Sequence, residues 1–386
     1  MIERTLKKKL LELKKQFPAI AILGPRQSGK TTLVKTTFLN YAYVNLEDFQ
    51  QKEFASSDPK GFFERFLKKD QGIIIDEIQK VPSLLSFIQM EIDQNPIAGR
   101  FILTGSQNIL LNQHISQTLA GRIALLTLLP FSIEELQKAN VLCDSATEAV
   151  FKGFYPRLYD TNNMDVVVFA ESYVRTYVER DARDIKQITS LMEFQKFMKL
   201  CAGRVGQLLN LSSLANESGL SLVTIKSWLS ILEASYILFF LQPYHENFNK
   251  RIVKMPKIYF YDTALACHLL RITSKEGLFD HYLRGALFES MIVSDLMKKR
   301  YNHGLPPNVY FWRDKLGNEI DCILDENGKK VPLEIKASST INSDMFLGIS
   351  YWSKLTKTPP EDGKIIYAGK EEQKRSQGHI LPWVML

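Results

Sequence analysis

A chain of 386 residues, 45% of them hydrophobic and 24% charged, carries enough apolar material for more than one core and predicts two or three domains. Its longest apolar stretch, inside "EASYILFFLQPY", is too short to cross a bilayer as a helix, so no membrane partner is expected. The net charge is +7, but six Lys or Arg against two Asp or Glu in residues 1–20 place +4 of it at the start, so the composition allows a local nucleic-acid patch without calling for one.

The opening segment sets Ile2, Leu6, Leu10, Leu13 and Phe17 on one stripe, which predicts an amphipathic helix rather than an export signal. From Phe17 to about Pro130, short β-rich runs ("AIAIL", "YAYVNL", "GIIIDEI", "GRFILTGS", "RIALLTLL") alternate with helix-like segments, the pattern of a parallel α/β sheet. The first run leads into "GPRQSGKTT", where Gly24, Pro25, Arg26, Gln27, Ser28, Gly29, Lys30, Thr31 and Thr32 have the spacing of a phosphate-binding loop. Glycines at its ends let backbone N–H groups close around phosphates. Lys30 would reach the β and γ phosphates of ATP, and the Thr31 hydroxyl would ligate Mg2+.

The third run ends in Asp76 and Glu77. An aspartate there holds the magnesium through water, and a neighbouring glutamate polarises the attacking water, so the pair points to hydrolysis rather than kinase transfer. The fourth run ends in Ser106 and Gln107, either of which could contact the γ phosphate. Each piece alone could be a strand-end turn, but the three in this order read as an ATP site.

The order of loop, acidic strand and polar strand, followed by "LNQHISQTLAGRIALLTLLPFS", resembles an AAA+ ATPase. The resemblance implies that Arg122 reaches the γ phosphate of a neighbouring subunit, and therefore a homo-oligomer; taken by itself the residue reads as a salt-bridging arginine. Ser106-Gln107 stand where many such proteins have an asparagine.

Residues 131 to about 280 read mainly as amphipathic helices. Within them, "NLSSLANESGLSLVTIKSWLSILEASYILFFL" has the layout of a helix-turn-helix: a helix from Ser212 or Ser213, a stop at Gly219, an N-cap at Ser221, and a second helix with Val223, Ile225, Trp228, Leu229 and Leu232 inward. "KMPKIYFYDTAL" is a candidate wing strand, making a winged-helix module that binds DNA or holds domains together. The four cysteines (143, 201, 267, 322) lie far apart with no Cys-x-x-Cys, which argues against a zinc site and predicts a reducing, cytoplasmic compartment.

In the last third, "NEIDCILDENGKKVPLEIKAS" predicts a hairpin in which Asp321 lies on one strand and Glu334 and Lys336 on one face of the next, around an Asn327-Gly328 turn. Two carboxylates from adjacent strands can hold magnesium, and a lysine two residues on can orient a water or stabilise phosphorane charge. This arrangement resembles the PD-(D/E)XK, restriction-endonuclease-like core, and the resemblance adds Glu289, in the preceding helix, as a further acidic residue. With "GPRQSGKTTL", "YVNLEDF", "LTGSQN", "LPFSIEEL", "GFYPRL", "YVRTYVERDARDI" and "VPLEIKAS", the chain is similar to prokaryotic AAA+ ATPases that join an ATPase, a helical region and a C-terminal domain of unknown function with a nuclease-like core. The expected division is an AAA+ ATPase domain over 1–135, a helical region with a winged-helix-like module over 136–280, and a nuclease-like α/β domain over 281–386. The expected function is ATP hydrolysis that controls a magnesium-dependent nuclease-like domain acting on DNA; the alternative is an ATP-gated DNA- or protein-interaction module that does not cut.

Overall fold

The structure is a computed structural model; it describes all residues except 69–70, 107–117, 161–163, 179–187, 189 and 245–252. Two compact units emerge: one of residues Met1–Pro130 with the short segments Ala234–Tyr236 and Tyr301–Leu305, the other of the remainder.

The five β-rich runs of the first unit form one parallel sheet. Its strands are β1 (Ala19–Leu23), β2 (Ala42–Asn45), β3 (Ile73–Asp76), β4 (Phe101–Gly105) and β5 (Ile123–Thr127), in the order β2-β3-β4-β1-β5. Every pairing is parallel, with Leu23 of β1 opposite both Gly105 and Thr127 and Ile75 opposite Leu103. β1, β3 and β4 are buried along their whole length, which is why they read as unbroken apolar runs rather than as alternation. Helices α1 (Leu6–Leu13), α2 (Lys30–Thr37), α3 (Phe49–Ser57), α4 (Pro59–Phe66) and α5 (Leu84–Gln94) belong to this unit. Leu6 and Leu10 of α1 are fully buried in a core with Ile20, Ile22, Leu33 and Val34, as the apolar stripe predicts. Asp48 and Asp58 cap α3 and α4 by accepting from the N–H groups of Gln51 and Gly61. The parallel order sets the C-terminal ends of β1, β3 and β4 side by side, and the motif residues stand at those ends.

The second unit opens with helices and closes with a mixed sheet. Its first helix, Ile133–Lys138, starts with a capping box between Ser132 and Glu135. The two helices of the expected helix-turn-helix form, Leu211–Ser218 and Leu222–Ala234, on either side of a left-handed Gly219. The first of these helices begins at Leu211, one or two residues before the expected Ser212 or Ser213, and is capped by Asn210, while Ser221 accepts from Thr224 N at the second. Ile225, Trp228, Leu229 and Leu232 are buried, with Trp228 edge-on to Phe194 and Phe197, but Val223 is 79% exposed, because the position two residues before Ile225 lies on the opposite side of the helix from that face. Two antiparallel strands follow, β6 (Leu238–Leu241) and β7 (Lys257–Phe260).

The closing sheet contains β8 (Val309–Arg313), β9 (Glu319–Glu326), β10 (Lys329–Lys336), β11 (Lys364–Tyr367), β12 (Gln373–Arg375) and β13 (Gly378–Pro382), ordered β12-β13-β11-β10-β9-β8. β9 and β10 are the predicted hairpin, turning at left-handed Asn327 and Gly328. β10 pairs parallel with β11, and the helix Leu347–Thr356 lies between them in the chain. Among the described residues, no helix is long and apolar enough to cross a membrane.

Candidate functional site: the phosphate loop and the acidic hairpin

The loop between β1 and α2 is held at both ends. Gly24 has φ +153°, and a Cβ there would stand 2.1 Å from the carbonyl oxygen of Leu128. Gly29 is left-handed and immediately precedes α2, as a loop that must present successive N–H groups requires. Lys30 is buried, its ammonium held by the carbonyls of Gly24 at 2.9 Å and Pro25 at 2.8 Å. Gln27 is left-handed, Ser28 is fully buried, and Thr32 is exposed on the first turn of α2. Arg26 bonds Glu47 at 2.9 Å, a partner that follows β2 and was not foreseen. Arg4, also unforeseen, donates to the Ser28 carbonyl at 2.6 Å and to the Leu129 carbonyl at 2.7 Å, so a buried guanidinium ties the loop to the segment after β5.

Asp76 is 3% exposed and faces three hydroxyl donors. Thr31 and Tyr43 each donate to Oδ2 at 2.8 Å, and Thr104 donates to Oδ1. Thr31 and Asp76 are thus within bonding distance of each other, the pair that could hold a magnesium ion at a phosphate. Burial, then the Asp76 carboxylate, push the Tyr43 phenol well above its usual range, so it remains a donor. Glu77 is left-handed at φ 57°, a conformation that costs about 1–3 kcal/mol in a non-glycine residue. Its N–H donates to Thr104 Oγ1 at 3.3 Å, and its carboxylate accepts from Ser106 Oγ at 3.0 Å and from Gln79 Nε2. The structure therefore gathers Lys30, Thr31, Asp76, Glu77 and Ser106. Gln107 lies outside the described residues. Arg122 stands at the start of β5 in a two-pronged pair with Asp93, at 2.6 and 3.1 Å, partly exposed on both sides.

Thr104 was missed because its role depends on the parallel register, which brings the residue after Leu103 beside the residue after Ile75. A small hydroxyl near the end of a buried strand was the available signal.

In the C-terminal sheet, Lys336 bonds Glu334 at 2.6 Å and Asp321 at 3.4 Å, and Asp321 also accepts from Ile335 N at 2.8 Å. Glu334 is pinned under the helix Leu347–Thr356 at Gly348, where a Cβ would come within 2.1 Å of its Oε1. That oxygen is buried and has no hydrogen-bond partner among the described residues. Burial, then the Asp321 charge, push the Glu334 carboxyl up to about 8. An orphaned oxygen next to a second carboxylate suits a cation bound by Asp321 and Glu334.

Glu289 is placed differently. It accepts from Tyr259 and pairs with Lys257 at 3.2 Å, and Lys257 also pairs with Glu319. Burial raises the Glu289 carboxyl, with Lys257 opposing. Burial alone would lower the Lys257 ammonium, but Glu289, Glu319 and Asp321 hold it above the usual lysine range. Among the described residues, no group of three His, Cys, Asp or Glu stands ready to hold a metal ion. The expected three-carboxylate centre of Glu289, Asp321 and Glu334 is therefore not assembled as such: a lysine from β7 takes up Glu289.

Residues 16–137 match the family model described as "AAA domain", and residues 144–276 and 284–386 match two models described as domains of unknown function (DUF8612 and DUF4143). The sequence is 27% identical over 334 residues to uncharacterized proteins of Mycobacterium bovis and Mycobacterium tuberculosis, covering 84% of this chain and 71% of each of theirs. Among solved structures, the Walker-type ATPase of Pyrococcus abyssi overlays with a TM-score of 0.44 at 16% identity, covering 68% of this chain and 94% of that one. AMPPCP-bound DnaA from Aquifex aeolicus overlays at 0.30 and 16%, covering 59% and 85%. The N-terminal sheet with its phosphate loop is an AAA-type P-loop ATPase domain, and the protein is an ATPase.

Proposed function

We propose that the chain hydrolyses ATP with magnesium and that its nucleotide state controls a C-terminal, restriction-endonuclease-like domain acting on DNA. Domain limits of 1–135, 136–280 and 281–386 go with this reading, and the matches at 16–137, 144–276 and 284–386 support them. The observation that carries the ATPase half is the bond from Thr31 to Asp76 beside a buried Lys30. Lys30 neutralises β and γ phosphate charge, the loop N–H groups cradle the phosphates, and Thr31 with Asp76 holds magnesium, which supplies charge neutralisation when bound. Glu77 accepts the proton of the attacking water, and Ser106 orients the Glu77 carboxylate it already bonds. Arg122, carried on the rim of the sheet, completes the site of a second copy in a homo-oligomer. The winged-helix-like segment is the DNA-facing candidate, through Thr224, Lys226 and Ser227. Three buried free thiols, Cys201, Cys267 and Cys322, suit a reducing cytoplasm.

For the C-terminal half the carrying observation is the Asp321–Lys336–Glu334 constellation with its orphaned oxygen. Asp321 and Glu334 would hold one magnesium ion, and Lys336 would orient a water or stabilise the charge on a phosphodiester. The second reading, a non-cutting interaction module gated by ATP, is favoured by the lysine that engages Glu289. Plasmid and single-stranded DNA incubated with the protein, with and without ATP and magnesium or manganese, separate the two. Lys30→Ala should lose ATP turnover, whereas Asp321→Ala should lose DNA cleavage and keep ATP turnover. Uncut DNA under every condition would leave the interaction module.

A further inference from the structure

The acidic hairpin has a partner from outside its own sheet. Lys257 and Tyr259 lie two residues apart on β7, so both side chains leave the same face of that strand. β7 pairs with β6 and belongs to the segment 144–276, whereas the carboxylates it meets come from the segment 284–386. Lys257 is 2% exposed; its ammonium is 3.2 Å from Glu289, is paired with Glu319, and sits 5.5 Å from the centre of the Phe311 ring. An ammonium is desolvated at this depth only when opposite charges surround it. On the other side of the cluster, the partly exposed Lys336 pairs with Asp321 and with Glu334 Oε2, but Glu334 Oε1 is buried with no hydrogen-bond partner among the described residues, so that side keeps an unsatisfied acceptor and a cation that can swing toward solvent, whereas the Lys257 ammonium is locked in.

We infer that the C-terminal site takes a single divalent cation, at Asp321 and Glu334, and that the Lys257 ammonium, supplied by the middle segment, is a resident cation on the Glu289–Glu319 side that keeps a second metal ion out. The inference rests on the reading of Asp321 and Glu334 as a cation site. A divalent ion placed on Glu289 would stand within a few ångströms of the ammonium, and like charges at that separation in a buried site repel strongly. Tyr259 holds Glu289 from the same strand, so β7 acts as a positioning element for the site and adds a second positive charge to that of Lys336.

The test is Mn2+ binding to the nucleotide-free full chain, read by paramagnetic resonance of free Mn2+, with Asp321→Ala as the background. Wild type should bind one ion that Asp321→Ala loses. Lys257→Met keeps the apolar stem as far as Cε and removes the ammonium; it should bind a second ion, or the first about tenfold tighter, and Mn2+ should raise its thermal midpoint more than that of wild type. Lys257→Gln serves as the second variant, with circular dichroism checking that each is folded. One ion at unchanged affinity in a folded Lys257 variant overturns the role of Lys257 and leaves the Asp321–Glu334 site standing. Two wild-type ions that are both lost in Asp321→Ala, a result that needs no lysine variant, overturn the exclusion; an ion that Asp321→Ala keeps belongs elsewhere, as at Thr31 and Asp76. No ion lost in Asp321→Ala overturns the underlying reading and the inference with it.

Discussion

At Asp76 one carboxylate takes hydroxyl donors from Thr31, Tyr43 and Thr104, and the backbone of the next residue hangs from the same Thr104. Two adjacent acidic residues are thereby given different surroundings. Asp76 is enclosed and held by three hydroxyls; Glu77 is half-buried, turned by its left-handed backbone toward Ser106 and Gln79. This division supports separate duties, one for the metal side and one for the water. Glu77→Gln should keep ATP affinity, measured with a fluorescent analogue, while steady-state turnover falls about 10²–10⁴-fold. Turnover at the wild-type rate would assign the water to another residue. Lys30, Thr31, Asp76 and Glu77 were legible because their chemistry is written in short local spacings. Thr104, Tyr43 and Arg26's partner Glu47 were not, since each enters through a neighbouring strand whose register no local pattern records.

Among the elements, the junction of β1 with the loop tolerates little change. Gly24 passes so close to the segment following β5 that any side chain meets the Leu128 carbonyl, and its φ of +153° is one that L residues rarely adopt. Gly24→Ala should cost about 1–3 kcal/mol of stability from the backbone strain alone, read by urea unfolding, and should weaken ATP binding because the loop must move off the carbonyl. Wild-type stability and affinity together would show that the strand end yields freely. The five parallel strands were readable from unbroken apolar runs, and the β9–β10 hairpin from its Asn-Gly turn. β11, β12 and β13 were not singled out: they are three to five residues long. Lys257 escaped for another reason. It lies on a strand far upstream of the hairpin, and only tertiary folding joins it to Glu289 and Glu319.

For the whole molecule, sharing of ATP sites between copies turns on Arg122. Arg122 is engaged by Asp93 in a partly exposed pair, worth about 1 kcal/mol at most, so the guanidinium can be drawn away by a phosphate at small cost. Arg122→Ala should then keep ATP affinity and lose hydrolysis, and mixing it with Lys30→Ala should restore part of the activity, because mixed interfaces pair an intact loop with an intact arginine. A protein that sediments as a monomer with ATP at every concentration, yet hydrolyses it, would remove Arg122 from that role.

Arg4 shows where this domain begins in a practical sense. The AAA match starts at residue 16, a natural place to cut when the domain is expressed by itself. Such a fragment would retain every residue of the phosphate loop and lose both α1 and the guanidinium that grips the Ser28 and Leu129 carbonyls. The contacts that hold the phosphate loop begin upstream of the stretch that the AAA match covers.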